Sequence, residues 1–368
     1  MNALIKQTLD ERAADGPTPY VDVAAIESVG RQRVRRRRVA SGVGALAVLA
    51  AVGVATPYVV NALGDGGDQG QVAVDGAAPT PVSWSTGSTV HLGDGVVELP
   101  SAPVAYVLSD DGIVWTDAQD GVNLTAGGRT SQLGVSTPDY GRVLASEGSL
   151  AAWYDGNEQA FTVVDTSTRE LVRQVPVTLD GPQDGEFDGP SVRALDDGVL
   201  WFYADREVTG MDLETGDVQG FAARNSEDLA DARAGHLVLD DRGANDRIVT
   251  TDGDEVGTVP GGGRVQLSPD ARYVVTDTND SEQVLDAATG ADVTPAFDYD
   301  FQAVVGWLDT DRYQALALDV VETQDGEADG PIDFLVCSVS AGDCELVADD
   351  AVTPDDEAFA LPVGESFG

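Results

Sequence analysis

Two cysteines and two histidines in 368 residues leave little material for metal or redox chemistry. Cys337 and Cys344 have no histidine near them in sequence, so neither a zinc site nor a reactive thiol pair is expected. His91 and His236 sit in strand-like runs, where a structural role is the default. A His-Glu-x-x-His pair and a phosphate loop are both missing. Carboxylate pairs for glycoside chemistry could be drawn from any of 64 acids, so they diagnose nothing. We therefore expect no catalytic residues, no cofactor-binding residues and a chain that is not an enzyme.

Positive charge is scarce as well. Lys and Arg total 21 against 64 Asp and Glu, a formal net charge of -43. Such a chain repels nucleic acid, and no nucleic-acid partner is expected. Helical patterning is nearly lacking after residue 63, while Gly 42 and Pro 17 favour turns and short strands.

The scarce positive charge is unevenly placed. Residues 1–38 hold 8 basic residues and 5 acids; the remaining 330 hold 13 and 59. Arg33, Arg35, Arg36, Arg37 and Arg38 directly precede an uncharged stretch, residues 39–63. As a helix, that stretch would be about 37 Å long, enough to cross a hydrocarbon core of about 30 Å. Arginines beside a membrane helix stay in the cytoplasm, which predicts a cytoplasmic N-terminus and an outer domain beyond the span. The stretch is longer than a typical signal core and 38 residues precede it, which favours an uncleaved anchor in membrane lipid.

This divides the chain into a cytoplasmic basic tail (1–38), a transmembrane helix (39–63), a flexible linker (64–81) and an extracytoplasmic domain (82–368). The tail carries short helical patterns broken by Gly16-Pro17-Thr18-Pro19, and is too short to fold alone. It would lie on the membrane or dock on a cytoplasmic regulator.

In the outer domain, short apolar runs alternate with Asp, Gly and Asn. Examples are 104–108, 112–116, 150–154, 199–203, 236–239, 272–276 and 333–339. They predict an all-β domain. The runs repeat. Ser109-Asp110-Asp111-Gly112-Ile113-Val114-Trp115 is echoed by Leu195-Asp196-Asp197-Gly198-Val199-Leu200-Trp201, a distance of 86 residues or two periods of 43. Met211-Asp212-Leu213-Glu214-Thr215-Gly216 is echoed by Leu285-Asp286-Ala287-Ala288-Thr289-Gly290, and more loosely by Val164-Asp165-Thr166-Ser167-Thr168-Arg169. In these turns the Asp side chain can bond turn amides, and Gly supplies a left-handed residue. This period with four short strands per unit predicts a β-propeller of six or seven four-stranded antiparallel blades.

Leu267-Ser268-Pro269-Asp270-Ala271-Arg272-Tyr273 resembles the turn-and-strand signature of Tol-system-type and WD-repeat-like propellers, with Ala271 where those usually carry Gly. Ser136-Thr137-Pro138-Asp139 reads as a weaker copy. The resemblance spans residues 82–361 and implies a fold. The layout also resembles tail-plus-propeller proteins of high-GC Gram-positive bacteria.

Strands at 82–84, 89–92 and 96–99 are expected to share a blade with a last strand at 357–362, closing the ring. Cys337 and Cys344 flank residues 338–343; in a hairpin with a four-residue loop they fall opposite each other, where a cross-strand disulfide fits and would persist outside the cell. Acidic loops 180–188 and 277–280 are the places where a structural Ca²⁺ could bind, and no other metal is expected. Residues 322–331 read as a solvated loop.

The function expected is binding or sensing of an extracytoplasmic protein or glycan. One alternative is transmembrane regulation of transcription, because the layout is similar to membrane-bound anti-sigma factors; the tail lacks their His-x-x-x-Cys-x-x-Cys motif. Another is a propeller enzyme such as a lactonase or quinone-dependent dehydrogenase.

Overall fold

The computed structural model describes residues 80–137, 143–177, 190–204, 207–220, 228–240, 245–261, 265–277, 282–323, 326–353 and 358–364. The basic tail with Arg33, Arg35, Arg36, Arg37 and Arg38, the uncharged stretch 39–63 and the linker up to residue 79 lie outside them. So do the acidic loop 180–188 and residues 278–280. No helix of the described residues is long and apolar enough to cross a membrane.

The described residues form a seven-bladed β-propeller. The first strands are β1 (Ser83–Thr86), β2 (Thr89–Leu92) and β3 (Gly95–Glu98). Blade 2 holds β4 (Ala105–Ser109), β5 (Gly112–Thr116), β6 (Gly121–Ala126) and β7 (Arg129–Val135). Blade 3 holds β8 (Ala145–Glu147), β9 (Leu150–Asp155), β10 (Ala160–Asp165) and β11 (Glu170–Pro176). Blade 4 holds β12 (Ser191–Asp196), β13 (Val199–Ala204), β14 (Glu207–Asp212) and β15 (Val218–Gly220). Blade 5 holds β16 (Asp228–Arg233), β17 (His236–Asp240), β18 (Asn245–Thr250) and β19 (Glu255–Pro260). Blade 6 has only β20 (Val265–Leu267), β21 (Tyr273–Asp277) and β22 (Glu282–Asp286). In chain order there follow β23 (Phe301–Trp307), β24 (Arg312–Leu318), β25 (Val320–Thr323), β26 (Gly326–Asp329), β27 (Ile332–Ser338), β28 (Asp343–Val352) and β29 (Phe359–Ala360).

Blade 7 is the sheet β23-β24-β27-β28, and β25-β26 is a separate hairpin. Residues 322–331 are thus not a solvated loop as expected. The backbone pairs Val320 with Asp329 and Glu322 with Glu327 across a two-residue connection. β-Branched Val320, Val321 and Thr323 favour strand, and the density of acids around them hides that preference.

Blade 1 closes the ring in the order β29-β1-β2-β3, so both ends of the domain share one sheet as expected. The C-terminal strand is innermost there, pairing Ser85 with Ala360 and Thr86 with Phe359. Gln314 of blade 7 adds a second link. Its side-chain nitrogen donates to the Ser83 carbonyl at 3.0 Å, and its oxygen accepts the Ser83 N–H at 2.9 Å.

Seven apolar clusters fill the seven junctions between blades. Trp84 faces blade 7 with Phe334 and Leu361, while Val90 and Leu92 of the same blade face blade 2. Because both faces of a blade are buried, inner strands are buried along most of their length, as in β4, where every residue is buried. Outer strands such as β7 and β11 keep an exposed face. The tryptophans of the repeat, Trp115, Trp153 and Trp201, lie on the second strands of three successive blades and are all buried.

The turn echoes have the expected chemistry. Asp165, Asp212 and Asp286 end third strands, and each carboxylate accepts turn N–H groups. Those donors are Ser167 and Thr168, Glu214 and Thr215, and Thr289 respectively. Residue four of each turn is left-handed: Arg169 at φ 61°, Gly216 at 80° and Gly290 at 68°. Between β20 and β21, Ser268 Oγ accepts the Tyr273 N–H at 2.9 Å and Ala271 holds φ 55°, the position where the resemblance has Gly. The segment at Ser136-Thr137 follows β7, between blades, so it is not a copy of that turn.

An added methyl at Gly290 would meet no atom within 4 Å, so Gly290→Ala isolates the backbone cost, about 1 kcal/mol. Arg169 is exposed at the equivalent position, and Arg169→Gly is expected to gain about 0.5 kcal/mol. Urea denaturation midpoints check both, and shifts of the same sign would contradict the turn assignment.

Candidate functional site

The ring departs from regularity at the junction of blades 6 and 7. After β22 the chain starts a fourth strand and abandons it. Leu285 pairs with Asp292, and the Val293 N–H donates to the Val284 carbonyl at 2.8 Å. Pro295 follows, and it has no N–H with which to extend a ladder. The segment then crosses to blade 7, where the Ala296 N–H donates to the Gly342 carbonyl at 3.1 Å.

The blade-6 face of blade 7 is left partly uncovered. Leu335 and Cys337 belong to the apolar cluster shared with blade 6. Leu346 pairs directly with Leu335 and so points the same way. A groove of about 380 Å³ results, lined by Ala296, Phe297, Asp298, Tyr299, Leu335, Cys344 and Leu346. Phe297 is 38% exposed and Leu346 47%, high for residues of this size.

Cys337 and Cys344 are directly opposite in register and form a disulfide, Cα to Cα 4.0 Å. The bridge fixes the start of β28, a ten-residue strand whose pairing with β27 is twice irregular. Its loop matches the Asp286 turn: the Gly342 N–H donates to the Ser338 carbonyl at 2.9 Å, as Gly290 does to Asp286 at 2.8 Å. Asp311 replaces the missing turn Asp, accepting the Ser340 N–H at 2.9 Å and the Ser338 hydroxyl at 2.8 Å.

Carboxylates rim the groove. The Tyr299 hydroxyl donates to Asp333 Oδ2 at 2.9 Å, and the Asp350 N–H donates to Asp333 Oδ1 at 2.8 Å. Oxygens of Asp333, Asp349 and Asp350 lie within 4.8 Å of one another, a set that could hold a hard divalent cation. Burial pushes the Tyr299 phenol up to about 12, helped by the Asp333, Asp319 and Asp349 carboxylates. Asp319 joins the rim from the hairpin base, accepting the Asp300 N–H at 3.1 Å.

Of the predicted site residues, the structure joins Cys337 and Cys344 and puts them at this groove. His91 stacks on Trp84 at 4.6 Å, and burial lowers its pKa. His236 contacts the Ala234 carbonyl at 3.1 Å, far along the chain from the groove residues. Sequence reasoning missed Phe297, Tyr299, Leu346, Asp333, Asp349 and Asp350. The available signal was a broken period: residues 287–300 hold Pro295 where an alternating fourth strand should run.

It also missed Glu147, a second polar cluster between inner strands. Glu147 is 2% exposed at the end of β8. Its carboxylate accepts the Asp197 N–H at 2.8 Å and the Gly198 N–H at 3.0 Å, tying blade 3 to a turn of blade 4. Asp196 repeats the pattern toward the Gly235 N–H of blade 5 at 3.4 Å, and Arg233 donates back to the Leu195 carbonyl at 3.3 Å. These charged atoms are used between blades. Burial pushes Glu147 up to about 7; Asp196 raises it further, while the two amides and Arg233 oppose the rise.

The folded state therefore holds this proton more tightly than the unfolded chain. The stability it contributes is full below the ordinary carboxylate pKa and lost as pH rises through 7, on the order of 3 kcal/mol. Glu147→Gln cannot titrate, so its urea stability should fall less than wild type between pH 5 and pH 8. Parallel slopes would show that Glu147 does not bind the proton.

No protein-family profile matches this sequence, and no curated protein does. Solved structures do resemble it. BamB from Moraxella catarrhalis is 15% identical, covering 69% of this chain and 82% of that one, with a TM-score of 0.42. Kluyveromyces lactis Hsv2 is 11% identical over 65% of this chain and 74% of that one, TM-score 0.43. PorZ, a surface component of the type-IX secretion system of Porphyromonas gingivalis, is 12% identical over 76% of this chain and 39% of that one, TM-score 0.45. The propeller assignment rests on this chain's own sheet topology.

Proposed function

We propose that this protein is a membrane-anchored binding module whose propeller faces the outside of the cell and engages a partner polypeptide at the blade 6–blade 7 edge, without catalysing a reaction. The observation that carries the reading is the groove itself. Other outer strands expose apolar residues such as Leu171 and Val218, but Phe297 and Leu346 are exposed together in one groove beside a three-stranded blade. Exposed apolar surface rimmed by polar groups is characteristic of interaction sites. The arginine run before residues 39–63 supports the anchor and its orientation. The Cys337–Cys344 bridge suits an oxidising compartment.

Two measurements test this. Protease added to intact cells should degrade the epitope-tagged C-terminus and spare a tag at the N-terminus; protection of both would refute the topology. A photo-crosslinking residue at Leu346 should trap a discrete envelope protein, whereas one at Leu171, a still more exposed position on β11 of blade 3, should not. Equal products at both positions would remove the groove from the proposal.

A further inference from the structure

We infer that the groove selects an extended, basic polypeptide segment in which apolar residues alternate with Lys or Arg; this rests on the binding role just proposed. The shape supplies the first half. The groove lies between the connector residues 296–299 and β28, whose exposed residues follow strand geometry. A strand placed there presents alternate side chains inward, toward Phe297, Leu335 and Leu346, and outward, toward the rim.

Charge supplies the second half. Residues 297–353 carry 14 carboxylates and one cation, Arg312. That cation is engaged by Asp309 at 2.7 Å. Asp298 lines the groove, and Asp333, Asp349 and Asp350 cluster beside it. At physiological salt a charge is felt over about 8 Å, so the local rim, not the net charge of the chain, sets the preference. Glutamate or aspartate on the incoming strand would meet this rim with the wrong sign, which gives the groove a means of rejection as well as attraction.

Fluorescence anisotropy with the full-length chain in nonionic detergent tests the inference, in about 150 mM salt. The probes are three labelled octapeptides, alternating Lys-Leu, Lys-Ser and Glu-Leu. Lys-Leu should bind, and Lys-Ser should bind about tenfold or more weakly because the apolar anchors are gone. Glu-Leu should not bind. Leu346→Asp, and the milder Leu346→Ser, should each weaken Lys-Leu by about tenfold. Asp349→Asn/Asp350→Asn should weaken it and flatten its salt dependence. Asp94→Asn/Asp217→Asn makes the same charge change at exposed sites elsewhere and should leave binding unchanged. Equal binding of Lys-Leu and Lys-Ser, equal loss in the two Asp pairs, or no Lys-Leu binding would each overturn the inference. Crosslinking from Leu346 to a partner without Lys-Leu binding sinks the basic-strand chemistry alone. Loss of the crosslink sinks the binding role beneath it.

Discussion

Each blade must be covered on both faces, and only a closed ring provides that. Seven junctions each hold one apolar cluster, so opening any one of them would expose both blade faces that its cluster covers. The closing ladder is small, since β29 contributes only two residues. At about 1 kcal/mol net per hydrogen bond, it cannot hold the ring by itself. Trp84, Val305, Phe334, Val352, Leu361 and Val363 are buried at the same junction, and burying them is worth on the order of 10 kcal/mol gross. Packing therefore closes the ring, while β29 and the Gln314–Ser83 pair set its register.

The groove is the same constraint left unmet in one place. Pro295 ends the fourth strand of blade 6, and the connector crosses over instead of covering the neighbouring face. The outer part of blade 7 must hold its shape with less packing than its counterparts. The Cys337–Cys344 bridge lies where that support is missing, and closing so short a loop contributes about 2–3 kcal/mol in the chain-entropy view. Asp311 and the Tyr299–Asp333 bond add polar fixings on either side. Exposure of Leu346 is thus compatible with an ordered edge.

What the sequence disclosed was local. The Asp212 and Asp286 turns, the Trp115 and Trp201 echo and the Cys337–Cys344 hairpin each need only residues close together in the chain, so pattern reading finds them. Ring closure followed from unpaired strands at the two ends. Blade number was left at six or seven because the period of 43 is not uniform: the inner strands of blades 4 to 7 begin at 191, 228, 265 and 301, a shorter repeat. The groove was illegible for a different reason. It is made by a strand that does not form, and its walls come from residues 296–299, 335, 344 and 346, which no local pattern links. Glu147 was hidden likewise, because its partners, the Asp197 and Gly198 amides, are 50 residues away.

The extreme acidity also changes meaning once the turns are known. Asp117, Asp155, Asp165, Asp212, Asp270, Asp286, Asp292 and Asp309 each accept a backbone N–H two to four residues on. A propeller needs many tight turns, and an aspartate at the strand end satisfies the amides that the turn leaves open. These eight of the 64 acids are therefore used in turn formation, spread around the ring. Asp298 and Asp349 differ: among the described residues neither carboxylate caps a turn, and both stand at the groove. Charge without a local structural use, placed beside exposed apolar side chains, is charge available to a partner. Among the described residues Asp94 and Asp217 are exposed and cap no turn either, so it is the groove that separates Asp298 and Asp349 from a surface that is acidic almost everywhere.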